Sequence, residues 1–277
     1  MNIEEAARLI KKRPADAHKG VFGKALLCVG SYGMMGAAVL SARACLRSGV
    51  GLCYVCSPER CMDIVQISVP EAVFRMSLEN LQQYDAVGCG CGIGTEAEAV
   101  NKLEYILGNA STPLLLDADA LNIVSAKGWQ DRLPKGTVIT PHPLEFHRIS
   151  GAGGSREEQI EAAQVFAVKY GVVVVLKGAG TAVVNTDGTV DINTTGNSGM
   201  ATAGSGDVLS GIITGLLAQG YSPFDAARLG VFLHGMAGDI AAAERSEQAL
   251  IAGDIVESIG DAYRRLLIGE SVNRLTD

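Results

Sequence analysis

Short, uninterrupted runs of apolar residues recur at 25–30, 50–56, 85–89, 114–117, 137–140 and 172–176, most of them bounded by Gly, Pro or Asp. A run that is apolar at consecutive positions has no polar face to give to water, so these segments read as strands buried on both sides, the habit of parallel sheets. Between and after them the period lengthens. Apolar residues return every three to four positions at about 36–48, 96–108, 156–170, 207–219, 223–244 and 253–267, as in helices with one buried face. Strand and helix alternate, which predicts βαβ units and a doubly wound, mostly parallel α/β sheet. Residues 181–192 depart from the rule: Thr181 to Asn185 and Thr189 to Ile192 flank Thr186-Asp187-Gly188, a hairpin signal, so an antiparallel edge follows the last parallel strand. No Pro- or Ser-rich linker and no solenoid-length repeat interrupts the pattern, and residues 1–277 are expected to form one domain.

Composition narrows the partners. A hydrophobic content of 48% supplies a large core, and a net charge of -7 speaks against nucleic acid or an anionic membrane, both of which need basic surfaces. No apolar run approaches a membrane span, and the charged start (Glu4, Glu5, Arg8, Lys11, Lys12, Arg13) predicts no secretory leader, hence a cytoplasmic protein. The 7 cysteines are an odd number in a large apolar chain and suit free thiols in a reducing compartment. Cys53 and Cys56 form a CxxC and Cys89 and Cys91 a CxC, but both pairs sit in strand-like runs. Residues three apart on a strand point to opposite faces, so no zinc site is expected.

The chemistry concentrates after the apolar runs, where open α/β sheets bind ligands. Asn197 to Asp207 is a glycine-dense loop that runs into the apolar face of Val208, Leu209, Ile212, Ile213, Leu216 and Leu217. Gly204 and Gly206, with Ser205 between them, let backbone N–H groups converge at a helix N-terminus, which makes an anion hole; Asp207 adds a carboxylate at its mouth. A base beside a phosphate site suggests phosphoryl transfer, whereas a first-turn Asp that merely suits the dipole would contribute about 0.3–1 kcal/mol. Two further glycine loops, Gly30 to Gly36 and Gly88 to Gly94, match neither the dinucleotide GxGxxG nor the P-loop pattern. Leu116-Asp117-Ala118-Asp119 puts two carboxylates at a strand end, where they hold magnesium through water, orient a polar ligand or cap a helix. Thr140-Pro141-His142-Pro143-Leu144-Glu145 reads as a stiff, non-helical approach presenting His142, and Lys177-Gly178-Ala179-Gly180-Thr181 as a rim lysine and glycine loop suited to phosphate. His18, Lys19 and His234 read as structural.

With these residues assembled, the chain resembles the ADP/ATP-dependent NAD(P)H-hydrate dehydratases, the carbohydrate-repair-kinase branch of the ribokinase-like superfamily. The resemblance is carried by His18-Lys19-Gly20, Leu116 to Asn122, Thr140-Pro141-His142-Pro143 with Glu145, Lys177-Gly178 with Thr181, and Thr195-Gly196-Asn197 leading into Gly204-Ser205-Gly206-Asp207. It implies a ribokinase-like three-layer α/β/α fold. It also implies a repair lyase that returns the hydrate of NADH or NADPH to NAD(P)H at the expense of ADP or ATP with Mg2+. The runner-up is a kinase of a small vitamin-like alcohol. By resemblance Asp207 is the base; Ala37, Gly92, His142 and Asp207 contact the hydrate; Lys177, Gly178, Ala179, Gly180, Thr181, Gly204, Ser205 and Gly206 contact the nucleotide. Asn197 supports the phosphates, and Asp117 and Glu145 reach a metal indirectly, through water. The family implies a homo-oligomer, a tetramer, and a separate NAD(P)H-hydrate epimerase as functional partner. The chain departs from the family at Cys91, Leu144 and Ser205, where proline, glycine and threonine are usual.

Overall fold

The computed structural model describes residues 1–273. The strands are β1 (Lys24–Cys28), β2 (Leu52–Cys56), β3 (Val73–Arg75), β4 (Ala86–Cys89), β5 (Leu114–Leu116), β6 (Val138–Ile139), β7 (Val173–Leu176), β8 (Ala182–Val184) and β9 (Val190–Ile192). The helices are α1 (Ile3–Leu9), α2 (Met35–Arg47), α3 (Met62–Ser68), α4 (Ala97–Asn109), α5 (Asp119–Lys127), α6 (Pro143–Ser150), α7 (Arg156–Tyr170), α8 (Ser205–Ala218), α9 (Pro223–Arg245) and α10 (Ala252–Asn273). One nine-stranded sheet runs β3-β2-β1-β4-β5-β6-β7-β8-β9, parallel through β7 and antiparallel at β8 and β9.

Strand side chains alternate between two cores. Ala25, Leu27, Cys53, Val55, Val173 and Val175 join a cluster with α2, α8, α9 and α10; Leu26, Cys28, Cys56, Val174 and Leu176 join one with α4, α5, α6 and α7. This double burial is why the runs carry no polar alternation. Cys53 and Cys56 fall on opposite faces, as their spacing requires, and all the cysteines are buried free thiols. Cys28 lies opposite Cys56 on β2 and Cys89 on β4, in the middle of the second core.

Several elements escape the pattern. β3 is a three-residue edge strand, and α1, α3, α5 and α6 are only seven to nine residues long, too short to show a period against their neighbours. The segment after Thr140 is a correction: Pro143 does not stop a helix but starts α6 at its first position, where the missing N–H is no loss.

α8 lies against the middle of the sheet because glycine makes room on both sides of it. A Cβ on Gly88 of β4 would sit 2.4 Å from Thr214 Oγ1, one on Gly211 would sit 2.2 Å from the Ser41 carbonyl of α2, and one on Gly215 would sit 2.0 Å from Ser48 Oγ. This close approach brings the first turn of α8 level with the ends of β1, β4 and β5. Gly211→Ala forces α2 and α8 apart at a backbone contact, and an overpacking cost of about 1–3 kcal/mol is expected as a lowered urea midpoint; an unchanged midpoint refutes the close-packing account.

Candidate active site

From β1 the sheet grows one way to β3 and from β4 the other way to β9, so the loops after β1 and β4 diverge and leave a crevice at their carboxyl ends. The N-terminus of α8 points into it. Gly204 caps the helix at φ 90°, and a Cβ there would sit 2.5 Å from Leu40 Cδ1. The amides of Gly206 and Asp207 have no acceptor among the described residues, as first-turn N–H groups of a helix do not, so an anion is the natural partner. Ser205 is buried and its hydroxyl lies 3.3 Å from His234 Nε2 on α9. Burial holds the His234 imidazole down to about 4, so it is neutral at working pH and serves to fix Ser205.

Beside this turn the carboxylates converge. Asp117, buried at the end of β5, accepts from Lys177 Nζ at 2.9 Å, Ser210 Oγ at 2.5 Å and the Ala118 N–H at 2.8 Å, with Cys91 Sγ at 3.9 Å. Ala118 itself is strained, with φ 48° and ψ -117°, and this conformation sets Asp119 off from Asp117. Asp119 accepts from the Gly94 N–H at 2.9 Å and so ties the β4 loop to the β5 loop. A Cβ on Gly90 would sit 1.9 Å from the Asp117 carbonyl, so the two loops touch through backbone. Lys177 is no rim lysine: its ammonium turns inward to Asp117 and lies 3.7 Å from Glu145, and these carboxylates outweigh its desolvation and raise its pKa.

Asp207 faces this cluster from α8. Burial raises its carboxyl to about 6, opposed by a hydrogen bond from Cys91 and by Lys177, and assisted by the charges of Asp117 and Asp119. Cys91 is a neutral donor, since burial and the neighbouring Asp117 and Asp207 push its thiol well above its ordinary value. A side chain that ionises near 6 beside unpaired amides is a base ready to take a proton from a hydroxyl whose oxygen then meets an anion held by those amides.

The other expected residues fall around this centre. Ala37 and Gly92 meet: a Cβ on Gly92 would lie 3.1 Å from Ala37 Cβ, so the loops after β1 and β4 form one small-residue wall. His142 is the N-cap of α6. Its Nδ1 accepts from the Leu144 and Glu145 amides at 3.2 Å, which leaves the proton on Nε2, directed toward Glu145 Oε1 at 3.4 Å. Thr181 donates its hydroxyl to the Gly178 carbonyl at 3.0 Å and closes the 177–181 loop. Asn197 is occupied by its own turn: Oδ1 accepts from Gly199 N–H at 3.0 Å and Nδ2 donates to Asp239 at 2.9 Å. His18 caps the short turn ahead of β1 through the Gly20 amide at 3.2 Å, in keeping with a structural reading.

A family model described as NAD(P)H-hydrate dehydratase matches residues 25–260. The chain belongs to that family. It is 40% identical to the ADP-dependent (S)-NAD(P)H-hydrate dehydratase of Neisseria meningitidis, over 93% of this chain and 89% of that protein. It is 38% identical to the bifunctional NAD(P)H-hydrate repair enzyme of Moorella thermoacetica over 93% of this chain, but spans about half (52%) of that longer protein. The crystal structure of the Bacillus subtilis ADP/ATP-dependent NAD(P)H-hydrate dehydratase, co-crystallized with ATP/Mg2+, superposes with a TM-score of 0.86 at 30% identity, covering 96% of this chain and 97% of that one. A hydroxyethylthiazole kinase from Pyrococcus horikoshii shares the fold alone, with a TM-score of 0.66 at 16% identity, covering 95% of this chain and 92% of that one. The ribokinase-like architecture expected of this dehydratase-family chain is therefore present.

Sequence reasoning missed Ser210 and undervalued His234. Ser210 is a polar residue in the otherwise apolar stripe of α8, one turn after Asp207, and that misplacement was its only signal. His234 gave none, because its partner lies 29 residues away on another helix.

Burial also reverses the sign of the Asp207 contribution to stability. A carboxyl with a higher pKa folded than unfolded stabilises the fold while protonated; that contribution is full below 3.8 and lost as pH rises through about 6. Asp207→Asn therefore raises the melting temperature at neutral pH, by about 1–3 kcal/mol in stability, with the gain shrinking toward about pH 4. A pH-independent difference between variant and wild type refutes the buried-base geometry.

Proposed function

We propose that this chain dehydrates the hydrate of NADH or NADPH back to NAD(P)H, with ADP, or ATP, as co-substrate. The observation that carries the reading is Asp207, a half-buried carboxyl with a pKa of about 6 next to the free first-turn amides of α8. Membership of the dehydratase family supports the substrate. Hydroxide is a poor leaving group from the hydrated ring. Asp207 takes the proton of the hydrate hydroxyl as its oxygen attacks the terminal phosphorus of the nucleotide, and AMP leaves from ADP. Of the Gly204 to Gly206 loop, the Gly204 and Gly206 amides are free, and with that of Asp207 they stabilise the charge on the transferring phosphoryl, while the Ser205 amide is taken by the Thr202 carbonyl. The ring nitrogen lone pair then expels inorganic phosphate, and loss of a proton from the adjacent ring carbon restores the reduced nicotinamide.

Ala37 and Gly92 leave space for the hydrated ring, and His142 offers its Nε2–H to it. The 177–181 loop and Gly206 take the nucleotide, while Asn197 acts through the shape of the loop leading into α8. The donor set fits a divalent cation that travels with the nucleotide: Asp117, Asp119, Asp207 and Glu145 face Lys177 alone, so anionic phosphates need added positive charge. Asp117 is saturated by protein donors and Glu145 holds the His142 N–H, so both would reach Mg2+ through water, where it neutralises the phosphates. Among the described residues no group of three or more His, Cys, Asp or Glu is arranged to hold a metal by itself, which agrees with a nucleotide-borne ion. Buried free thiols suit the cytoplasm. An NAD(P)H-hydrate epimerase is the functional partner this reading calls for, and a homotetramer is the assembly the family resemblance carries.

The test is to mix the protein with NADH hydrate, magnesium and ADP and follow reduced-nicotinamide absorbance and phosphate release together. Both should rise. A stable phosphorylated product without recovered absorbance replaces this reading with the kinase one. Asp207→Asn should lower turnover by about 10²- to 10⁴-fold while ADP still binds, and kcat/KM of the wild type should climb with pH through about 6, the pKa of the base, and level off above it. His142→Asn keeps the helix cap but moves the ring donor, so it should raise the KM for the hydrate several-fold and leave that for ADP unchanged. Equal changes in both constants remove His142 from the hydrate site.

A further inference from the structure

Behind the 177–181 loop stands a cation that the sequence did not single out. Arg156, the first residue of α7, donates from one guanidinium to three carbonyls: Leu176 at 2.9 Å, Lys177 at 3.3 Å and Gly180 at 3.2 Å. A Cβ on Gly178 would lie 3.5 Å from the same group. No salt bridge joins Arg156 to a carboxylate among the described residues; Glu157 acts on its charge at longer range, and the three carbonyls are its hydrogen-bond partners. Apart from Arg156, the loop is held by the Thr181 hydroxyl on the Gly178 carbonyl and by backbone bonds at its two ends, Lys177 to Pro141 and Asn193 to Thr181. Gly178 and Gly180 sit at φ 146° and 63°, in a segment where glycine gives the unliganded backbone wide freedom.

The direction of the carbonyls decides what the loop offers. Oxygens drawn inward onto one guanidinium turn their own peptide planes, and the N–H on the far side of each plane belongs to the next residue: Lys177 for the Leu176 carbonyl, Gly178 for Lys177 and Thr181 for Gly180. The Lys177 amide is taken by the Pro141 carbonyl, but the amides of Gly178 and Thr181 have no acceptor among the described residues; Gly178 is exposed and Thr181 half-buried. The result is a pair of outward donors with a positive charge directly behind it, an arrangement that attracts an anion.

We propose that Arg156 is the positioning residue of the nucleotide loop: it holds the Leu176, Lys177 and Gly180 carbonyls so that the Gly178 and Thr181 amides face the phosphates of the bound ADP. This rests on the reading of 177–181 as the nucleotide loop. Lysine cannot replace it, because a point-like ammonium does not span three carbonyls that a planar fork reaches together.

The experiment measures ADP binding by calorimetry, and KM for ADP and for the hydrate separately, in wild type, Arg156→Lys and Arg156→Ala. Expected is a tenfold or larger loss of ADP affinity in both variants, with kcat at saturating ADP and KM for the hydrate within twofold of wild type. Added guanidinium ion should restore part of the ADP affinity of Arg156→Ala and none of that of the wild type, a response that general destabilisation does not give. If wild type binds ADP and Arg156→Lys binds it equally well, the positioning role is overturned while the nucleotide reading stands. If hydrate KM and ADP KM rise together, Arg156 supports the fold and not the loop, and the proposal falls. If wild type binds no ADP, the nucleotide reading itself falls, and this one with it.

Discussion

The site hangs on one buried carboxylate. Asp117 sits at the end of β5 and gathers donors from the end of β7 (Lys177), from α8 (Ser210), from its own strained loop (Ala118) and, at longer range, from the β4 loop (Cys91). An ionised carboxyl in a water-poor interior must be matched by donors, and losing any of them leaves part of that charge uncompensated. Each donor is therefore held in place by the same requirement. Strands and helix are fixed relative to one another at the point where the chemistry is placed.

That arrangement has an electrostatic consequence. Burial, and after it the Asp117 charge, disfavours a second carboxylate here and lifts Asp207 above its ordinary pKa. The fold gives up stability at neutral pH to carry Asp207 mostly ionised with a raised pKa, a strain typical of reactive positions. Cys91 moderates this. As a neutral thiol whose sulfur lies 3.9 Å from Asp117, it pulls the Asp207 pKa part of the way back, a contribution that the proline usual in the family could not make.

Two histidines show how much a side chain's role depends on the residues packed around it. His142 caps α6 with Nδ1 and turns Nε2 toward Glu145 Oε1 at 3.4 Å, so one imidazole ties the start of the helix together from both sides. His234 never titrates near neutrality, yet it orients the hydroxyl at the entrance of α8. Positioning of this kind leaves no trace in spacing, because both partners are ordinary residues until the helices pack.

What the sequence determined by itself was whatever depends on neighbours along the chain. Apolar runs set the parallel strands because double burial removes the polar alternation, Asp187-Gly188 set the hairpin, and the glycines before Val208 set a helix N-terminus with Asp207 in its first turn. Elements under about nine residues were lost, since a helix that short completes barely two turns and shows no period. The tertiary structure alone decided which charges meet. Lys177 read as a rim cation and is an inward partner of Asp117, 60 residues away; Ser210 meets Asp117 across 93. Arg156 closes on the loop 20 to 24 residues later. Burial and pKa are properties of surroundings assembled by packing, and no local pattern along the chain encodes the distance between two such groups.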